Sequence, residues 1–116
     1  MENCIFCKII KGEIPSKKVL ENNKVIAFYD ISPKAPVHVL IVPKKHINSL
    51  MDVKKKDKDL MGELLTTATG IAQNLGLNSG GYKLVVNNGR GAGQLVFHLH
   101  FHLLGGWKKD ATGFAV

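Results

Sequence analysis

The residues best suited to chemistry are His98, His100 and His102, which alternate along the run Leu95–Leu104. In a β-strand, successive side chains point to opposite faces. Val96, His98, His100, His102 and Leu104 then share one face, while Leu95, Phe97, Leu99, Phe101 and Leu103 make a wholly apolar one. The three imidazoles would stand in a row, roughly 6–7 Å apart by Cα. A lone strand histidine is usually a hydrogen-bonded structural residue. Three in strict alternation bring three polar rings to be satisfied, which packing alone does not call for. Two chemistries suit such a row. Imidazoles two residues apart can converge on one metal ion. Alternatively, imidazole titrates near neutrality and serves as nucleophile, acid or base.

The elements around that row must fit in 116 residues, which is one domain, 1–116, with room for a core. The apolar fraction of 45% suits a globular chain. No run of about 18 apolar residues suggests a membrane span, and Met1-Glu2-Asn3-Cys4 does not open like a secretory signal. A cytoplasmic protein with reduced cysteines is expected. The net charge of +7 attracts anions. The lysines are scattered, and Lys54-Lys55-Lys56 reads as a solvated helix entrance. Neither a nucleic-acid-binding module nor an aromatic-studded basic stripe accompanies the charge. A phosphate-bearing small molecule is therefore favoured over nucleic acid.

Along the chain, Cys4–Ile10 reads as a short helix ended by Gly12 and Pro15. Lys18–Glu21 and Lys24–Tyr29 read as a hairpin across Asn22-Asn23, and Asp30-Ile31-Ser32-Pro33 turns the chain. Val37–Val42 is a strand between Pro36 and Pro43, with His38, Leu40 and Val42 on one face. The one long helix runs from about Lys55 to Leu75. Leu60, Leu64, Ala68, Ile71, Ala72 and Leu75 recur there at helical spacing, and Gly76 supplies the stop. Gly81–Asn87 and Leu95–Leu104 are the last two strands, and the tail from Gly105 is left unassigned. Strands joined by hairpin-like links, with one long helix, predict an α+β domain built on an antiparallel sheet.

Between those last strands, Asn88-Gly89-Arg90-Gly91-Ala92-Gly93-Gln94 is longer than a hairpin needs. Its glycines would let backbone N–H groups converge on an anion, or it could be a plain flexible tip. It lacks the Lys and Ser/Thr of a P-loop. Its position matters more, because it leads directly into the histidine segment.

Taken together, these residues resemble the histidine-triad (HIT) family. Gln94-Leu95-Val96-Phe97-His98-Leu99-His100-Phe101-His102-Leu103-Leu104 looks like that family's His-x-His-x-His signature. Phe6-Cys7-Lys8-Ile9-Ile10, Glu13-Ile14-Pro15, Ala27–Pro33, His38–His46 and Val85-Val86-Asn87 are similar to its Hint-like branch, the purine nucleoside phosphoramidase type. The resemblance implies a homodimer, its two sheets joined across the interface. It also implies a nucleotide-binding hydrolase that releases a purine nucleoside monophosphate, AMP or GMP, through a covalent nucleotidyl-histidine. A dinucleoside polyphosphate hydrolase or nucleotidyl transferase is the alternative within enzymes. A nucleotide- and zinc-binding protein of weak activity is the alternative outside them.

By the same resemblance His100 would be the nucleophile, with His102 and His38 around the phosphate. Gln94 and backbone N–H groups near Gly93 and Leu95 would hold phosphate oxygens. Asp30 would take the ribose hydroxyls, though without the resemblance it reads as a turn-forming Asp, and Phe28 and Ile31 as ordinary core residues. Phe6, Ile9, Ile14, Phe28 and Ile31 would wall the base pocket, and Asn87 would lie near the ribose–phosphate end. One departure stands out: Leu95 occupies the place where the family commonly has Ser or Thr. The hydroxyl that would face the phosphate or leaving group is missing.

Cys4 and Cys7 have the x₂ spacing at which two thiolates clasp one ion, or they are simple packing residues. One pair cannot complete a tetrahedral site. Some bacterial HIT proteins bind zinc with such a cysteine pair and two histidines. That likeness implies Cys4, Cys7, His46 and His98 as a closed, structural zinc site, apart from the reaction.

Overall fold

A computed structural model of the chain describes residues 3–109. Helix α1 (Ile5–Ile10) precedes strands β1 (Lys18–Glu21), β2 (Val25–Tyr29) and β3 (Val37–Pro43). Helix α2 (Lys58–Asn74), β4 (Tyr82–Val85) and β5 (Phe101–Gly105) follow. The five strands form one antiparallel sheet in the order β1-β2-β3-β5-β4. This is the expected α+β architecture.

Strand alternation divides the sheet between two helices. Val25 and Ala27 of β2, and Val39 and Ile41 of β3, face α2 with Leu64, Ala68 and Ile71. Ile26 and Phe28, with Leu40 and Val42, face the other way and pack against Phe6 and Ile9 of α1. Each fully buried aliphatic side chain here contributes about 1.5–3 kcal/mol by leaving water. Helix α2 begins as a 3₁₀ turn at Lys55–Asp57 rather than as α-helix. Buried Asp57 holds that start: it accepts from the Lys54 N–H at 3.0 Å and from Lys45 Nζ at 2.6 Å. Gly76 ends the helix at φ +74°, a conformation that costs glycine nothing.

The last two strands are shorter than their sequence suggests. β5 begins at Phe101, not Leu95. Leu99, Phe101 and Leu103 do enter the α2-side core, but Leu95 is 88% exposed and Phe97 39%. The cause lies in the neighbouring strand. Register with β3 runs out at Ile41↔Phe101, and Pro43 has no N–H with which to extend a ladder. The Leu99 N–H bonds instead to the Ile47 carbonyl at 2.6 Å, and the chain before it turns away. β4 stops at Val85 for a related reason. Val85 pairs with His102, the second residue of β5, so Val86 falls opposite the strand's first residue and Asn87 lies beyond its end. The tail contributes Gly105 to β5, and residues 110–116 lie outside the described part.

Candidate functional site

Strands β3 and β5 run side by side with Leu40 opposite His102, so His38, His100 and His102 come together on the α1 side of the sheet. They line a cavity of about 620 Å³, a size that suits a small-molecule ligand. Phe6, Ile9, Ile14, Phe28 and Ile31 line it as well, and so do Asp30, Asn87, Gly93 and Leu95. Phe6 stands edge-on to both Phe28 and His100, with ring centroids 5.6 and 5.0 Å apart.

Hydrogen bonds fix which nitrogen of each ring carries its proton. A carbonyl only accepts, so the 2.7 Å contact from His100 Nδ1 to the His98 carbonyl puts the proton on Nδ1. His100 Nε2 keeps its lone pair on a ring that lines the cavity. His38 is set the other way, because its Nδ1 accepts the Lys34 N–H at 3.0 Å. Its proton therefore sits on Nε2 and is donated to His102 Nδ1 at 2.9 Å. His102 in turn carries its proton on Nε2. A bare nitrogen on His100 thus stands beside a donor on His102, the two rings 4.9 Å apart. Burial holds all three imidazoles below their ordinary pKa, His102 down to about 4, so the row is neutral at physiological pH. Asp30 Oδ2 lies 3.6 Å from His38 Nε2, and its Oδ1 accepts the Ser32 N–H at 2.7 Å. The turn-forming role considered for Asp30 is therefore present, with the second oxygen left toward the histidines.

The loop before the triad behaves differently from an open anion nest. Arg90–Ala92 is a 3₁₀ turn, in which the Gly93 N–H bonds to Arg90 and the Gln94 N–H to Gly89. The Gln94 side chain is 1% exposed and turned inward. Its oxygen accepts the Gly89 N–H at 2.8 Å, and its amide donates to the carbonyls of Asn48 and Val96 at 2.6 and 3.0 Å. With both donors spent, Gln94 fastens the loop and is not among the cavity-lining residues. Asn87 braces the same loop, donating to the Ala92 carbonyl at 2.9 Å.

His98 takes no place in the cavity. Its ring faces α1, where Cys4, Cys7, His46 and His98 bring four donor atoms within 4.8 Å of one another. Cys7 Sγ lies 3.3 Å from His46 Nδ1 and 3.5 Å from His98 Nδ1, and Cys4 Sγ lies 3.4 Å from His98 Nδ1. Tetrahedral zinc with its usual bond lengths sets sulfur and nitrogen about 3.5 Å apart. The protons point the right way too. His98 Nε2 donates to the Pro43 carbonyl at 2.7 Å and His46 Nε2 to Asn48 Oδ1 at 2.8 Å, leaving both Nδ1 atoms bare toward the sulfurs. Burial, and then the neighbouring Cys4 thiol, push the Cys7 thiol above its ordinary value. Two thiols this close ionise together only with a cation between them. The four residues fit a divalent metal of zinc's type. Asp30, His38 and His102 also cluster within 4.8 Å, but the His38 nitrogen in that group carries the proton, which suits proton relay better than ligation.

Several participants had no clear signature in the sequence. Lys34 acts through its backbone N–H, and Pro43 through a carbonyl, so side-chain chemistry does not reveal them. Asn48, two residues after His46, was the one that spacing could have raised.

The family model for the HIT domain matches residues 11–109. Protein HitA of Neisseria gonorrhoeae is 44% identical over 105 residues, covering 90% of this chain and 97% of that one. Among solved structures, a HIT family hydrolase from Clostridium thermocellum is 47% identical, with a TM-score of 0.91 over 95% of this chain and 96% of the other. A histidine triad nucleotide-binding protein from Candida albicans is 42% identical, with a TM-score of 0.80 over 97% of this chain and 87% of the other. A neutral imidazole row on one face of the sheet, a cavity in front of it and these likenesses agree: the chain belongs to the HIT family.

Proposed function

We propose that this protein hydrolyses the α-phosphate bond of purine nucleoside 5′-phosphoramidates through a covalent nucleotidyl-His100, releasing the nucleoside monophosphate. The observation that carries this is the tautomer of His100, whose Nδ1–H is spent on the His98 carbonyl so that Nε2 offers a lone pair to the cavity. That nitrogen bonds to phosphorus as the phosphorus–nitrogen bond breaks. The amine leaves with the electron pair and takes a proton from the imidazole row, in which His102 Nε2 and His38 Nε2 carry the protons. Water then attacks phosphorus, His100 departs with its electron pair, and the water's proton returns to the row. Charge on the phosphate oxygens is met by the neighbouring imidazoles and the Leu95 N–H. The purine lies against Phe6, Ile9, Ile14, Phe28 and Ile31, while Asp30 takes the ribose hydroxyls and Asn87 their phosphate end. The names of the relatives, one a hydrolase and one a nucleotide-binding protein, support the same reading.

Cys4, Cys7, His46 and His98 would hold zinc. Four protein ligands leave no open position, so the ion's role is to tie α1 to the sheet. A working homodimer would extend the sheet beyond β1 or β4, its two edge strands. A pair of free thiols used as metal ligands suits the reducing cytoplasm. No described helix is long and apolar enough to cross a membrane.

The test is turnover of adenosine 5′-phosphoramidate against a dinucleoside polyphosphate, with AMP and GMP binding measured alongside. Preferential release of AMP from the phosphoramidate is expected. Preference for the polyphosphate would reassign the substrate, and tight binding without turnover of either would make this a nucleotide-binding protein.

A further inference from the structure

We propose that Cys4 and Cys7 form a redox site: a small disulfide of the glutathione type enters the hollow beside Cys4, takes two electrons from the pair, and leaves a Cys4–Cys7 disulfide that cannot hold metal. This goes beyond the hydrolase reading and does not depend on it.

The two thiols are placed for such a bond. Cys4 is the N-cap of α1 and Cys7 is that helix's third residue. A cap side chain folds back over the first turn, and the Cys4 sulfur accepts the Cys7 N–H at 3.3 Å. The two sulfurs thereby lie within 4.8 Å of each other. A disulfide needs about 2.05 Å, a gap that side-chain rotation can close between residues three apart on one turn. The chain has two cysteines in all, so within it only Cys7 can resolve a mixed disulfide on Cys4.

Access separates their parts. Cys4 is half-buried and opens onto a hollow of about 730 Å³, whose wall also includes Asn3, His46, Asn48, Ile5 and Phe97. Amides and an imidazole beside apolar side chains suit a small peptide-like molecule. Cys7 is buried and lines neither this hollow nor the histidine cavity. Cys4 is therefore the attacking thiol and Cys7 the resolving one. The Cys4 sulfur bonds to one sulfur of the incoming disulfide as its S–S bond breaks. The first glutathione leaves with that electron pair and the Cys4 proton. Cys7 then attacks the Cys4 sulfur, and the second glutathione leaves with the pair and the Cys7 proton. The protein's two thiols are oxidised and the incoming disulfide is reduced to two thiols. A disulfide and a metal ion need the same sulfur electron pairs, so each excludes the other. Oxidation thus releases α1 from any metal link to His46 and His98. In a reducing compartment the disulfide is a transient, signalling state.

The experiment treats the whole protein, zinc-loaded and metal-free, with excess glutathione disulfide, following intact mass and zinc release to a chromogenic chelator. The metal-free chain should lose two hydrogen atoms without keeping an adduct, and should then take up no zinc until dithiothreitol is added. The zinc-loaded chain should react about tenfold more slowly and release its zinc as the internal disulfide forms. Cys7→Ser should stop at a lasting glutathione adduct on Cys4, while Cys4→Ser should react about tenfold more slowly through its buried thiol. A lasting adduct on the unaltered chain, a disulfide between chains, or no reaction where free cysteine is oxidised in the same solution overturns the proposal. So does equal reactivity of the two variants. The mass of the unaltered chain is decisive whether or not the variants fold.

Discussion

Each imidazole of the triad segment spends one nitrogen on a different partner, and those partners divide the work. His98 gives Nε2–H to Pro43 and turns Nδ1 to the sulfurs, whereas His100 gives Nδ1–H to a carbonyl and keeps Nε2 bare. His102 accepts from His38. The proposed roles follow from protons, not from the spacing of the rings. Alternation in the sequence was enough to place the rings on one face. It could not show which nitrogen is free, because that depends on backbone atoms of Lys34 and Pro43 brought in by folding. On the proposed mechanism His100→Ala should reduce turnover by on the order of 10⁴ or more while AMP binding changes by only a few-fold, since the apolar cavity wall and Asp30 remain. Calorimetry beside a turnover assay checks this, and near-normal turnover would reassign the nucleophile. The His38–His102 pair makes a second statement. Its hydrogen bond needs a bare His102 Nδ1, and burial lowers that ring to about 4, with His38 also lowered. Protons therefore bind only as the pH falls below imidazole's ordinary value of about 6.5. The rate should stay level through that value and decline only further into acid. The folded chain also binds fewer protons here than the unfolded one, so stability is full above about 6.5 and drains away as the pH falls toward 4. A pH–rate profile with its acid limb centred at or above 6.5 would contradict the neutral row.

At the scale of elements, the helices and hairpins were legible because each carries its own period and punctuation. Leu60, Leu64, Ala68, Ile71 and Ala72 repeat at helical spacing, and Gly76 stops the run; α2 occupies that stretch, with a 3₁₀ first turn. The beginning of β5 was not legible. Leu95–Leu104 alternates without a break, and only the partner strand, ending in Pro43, decides that pairing starts at Phe101. The loop before it was half legible. Glycine at 89 and 93 matched real demands, φ +91° and +90°, but the anion nest they suggested is closed by the loop's own bonds. Gln94 is what closes it. Replacing it with Leu leaves the Gly89 N–H and the carbonyls of Asn48 and Val96 without their buried partner. At about 1 kcal/mol or more for each lost bond, Gln94→Leu should destabilise the fold by about 2–4 kcal/mol in denaturant titration. Turnover should fall with it, because Gly93 and Leu95 hang on the same loop. Unchanged stability would mean that the loop is held by its 3₁₀ turn and Asn87 alone.

At the scale of the whole molecule, the histidine cavity and the thiol–imidazole cluster lie against opposite faces of one short helix. α1 has six residues, too few to be stable alone in water. Its Cys4 and Cys7 belong to the thiol–imidazole cluster, while Phe6 and Ile9 wall the cavity. His98 links the regions a second time: its ring joins the cluster and its carbonyl fixes the tautomer of His100. The residues alone pointed only to the cysteine pair. The full quartet came from resemblance, since His46 and His98 lie 39 and 91 residues beyond Cys7. Metal held by the quartet would tie α1 to the segments that follow β3 and precede β5, so its removal should be felt in both regions. The protein purified without chelators should carry about one zinc per chain. Stripping it should lower the thermal midpoint by several degrees, restored on adding zinc, because a ligand held only by the folded state stabilises that state. Nucleotide affinity should fall as well, as Phe6 and Ile9 lose their fixed place. Cys7→Ser should reproduce both effects and make added zinc ineffective. A metal-free protein with the same midpoint and the same AMP affinity as the zinc-loaded one would show that apolar packing of Phe6 and Ile9 on β2 and β3 seats α1 unaided.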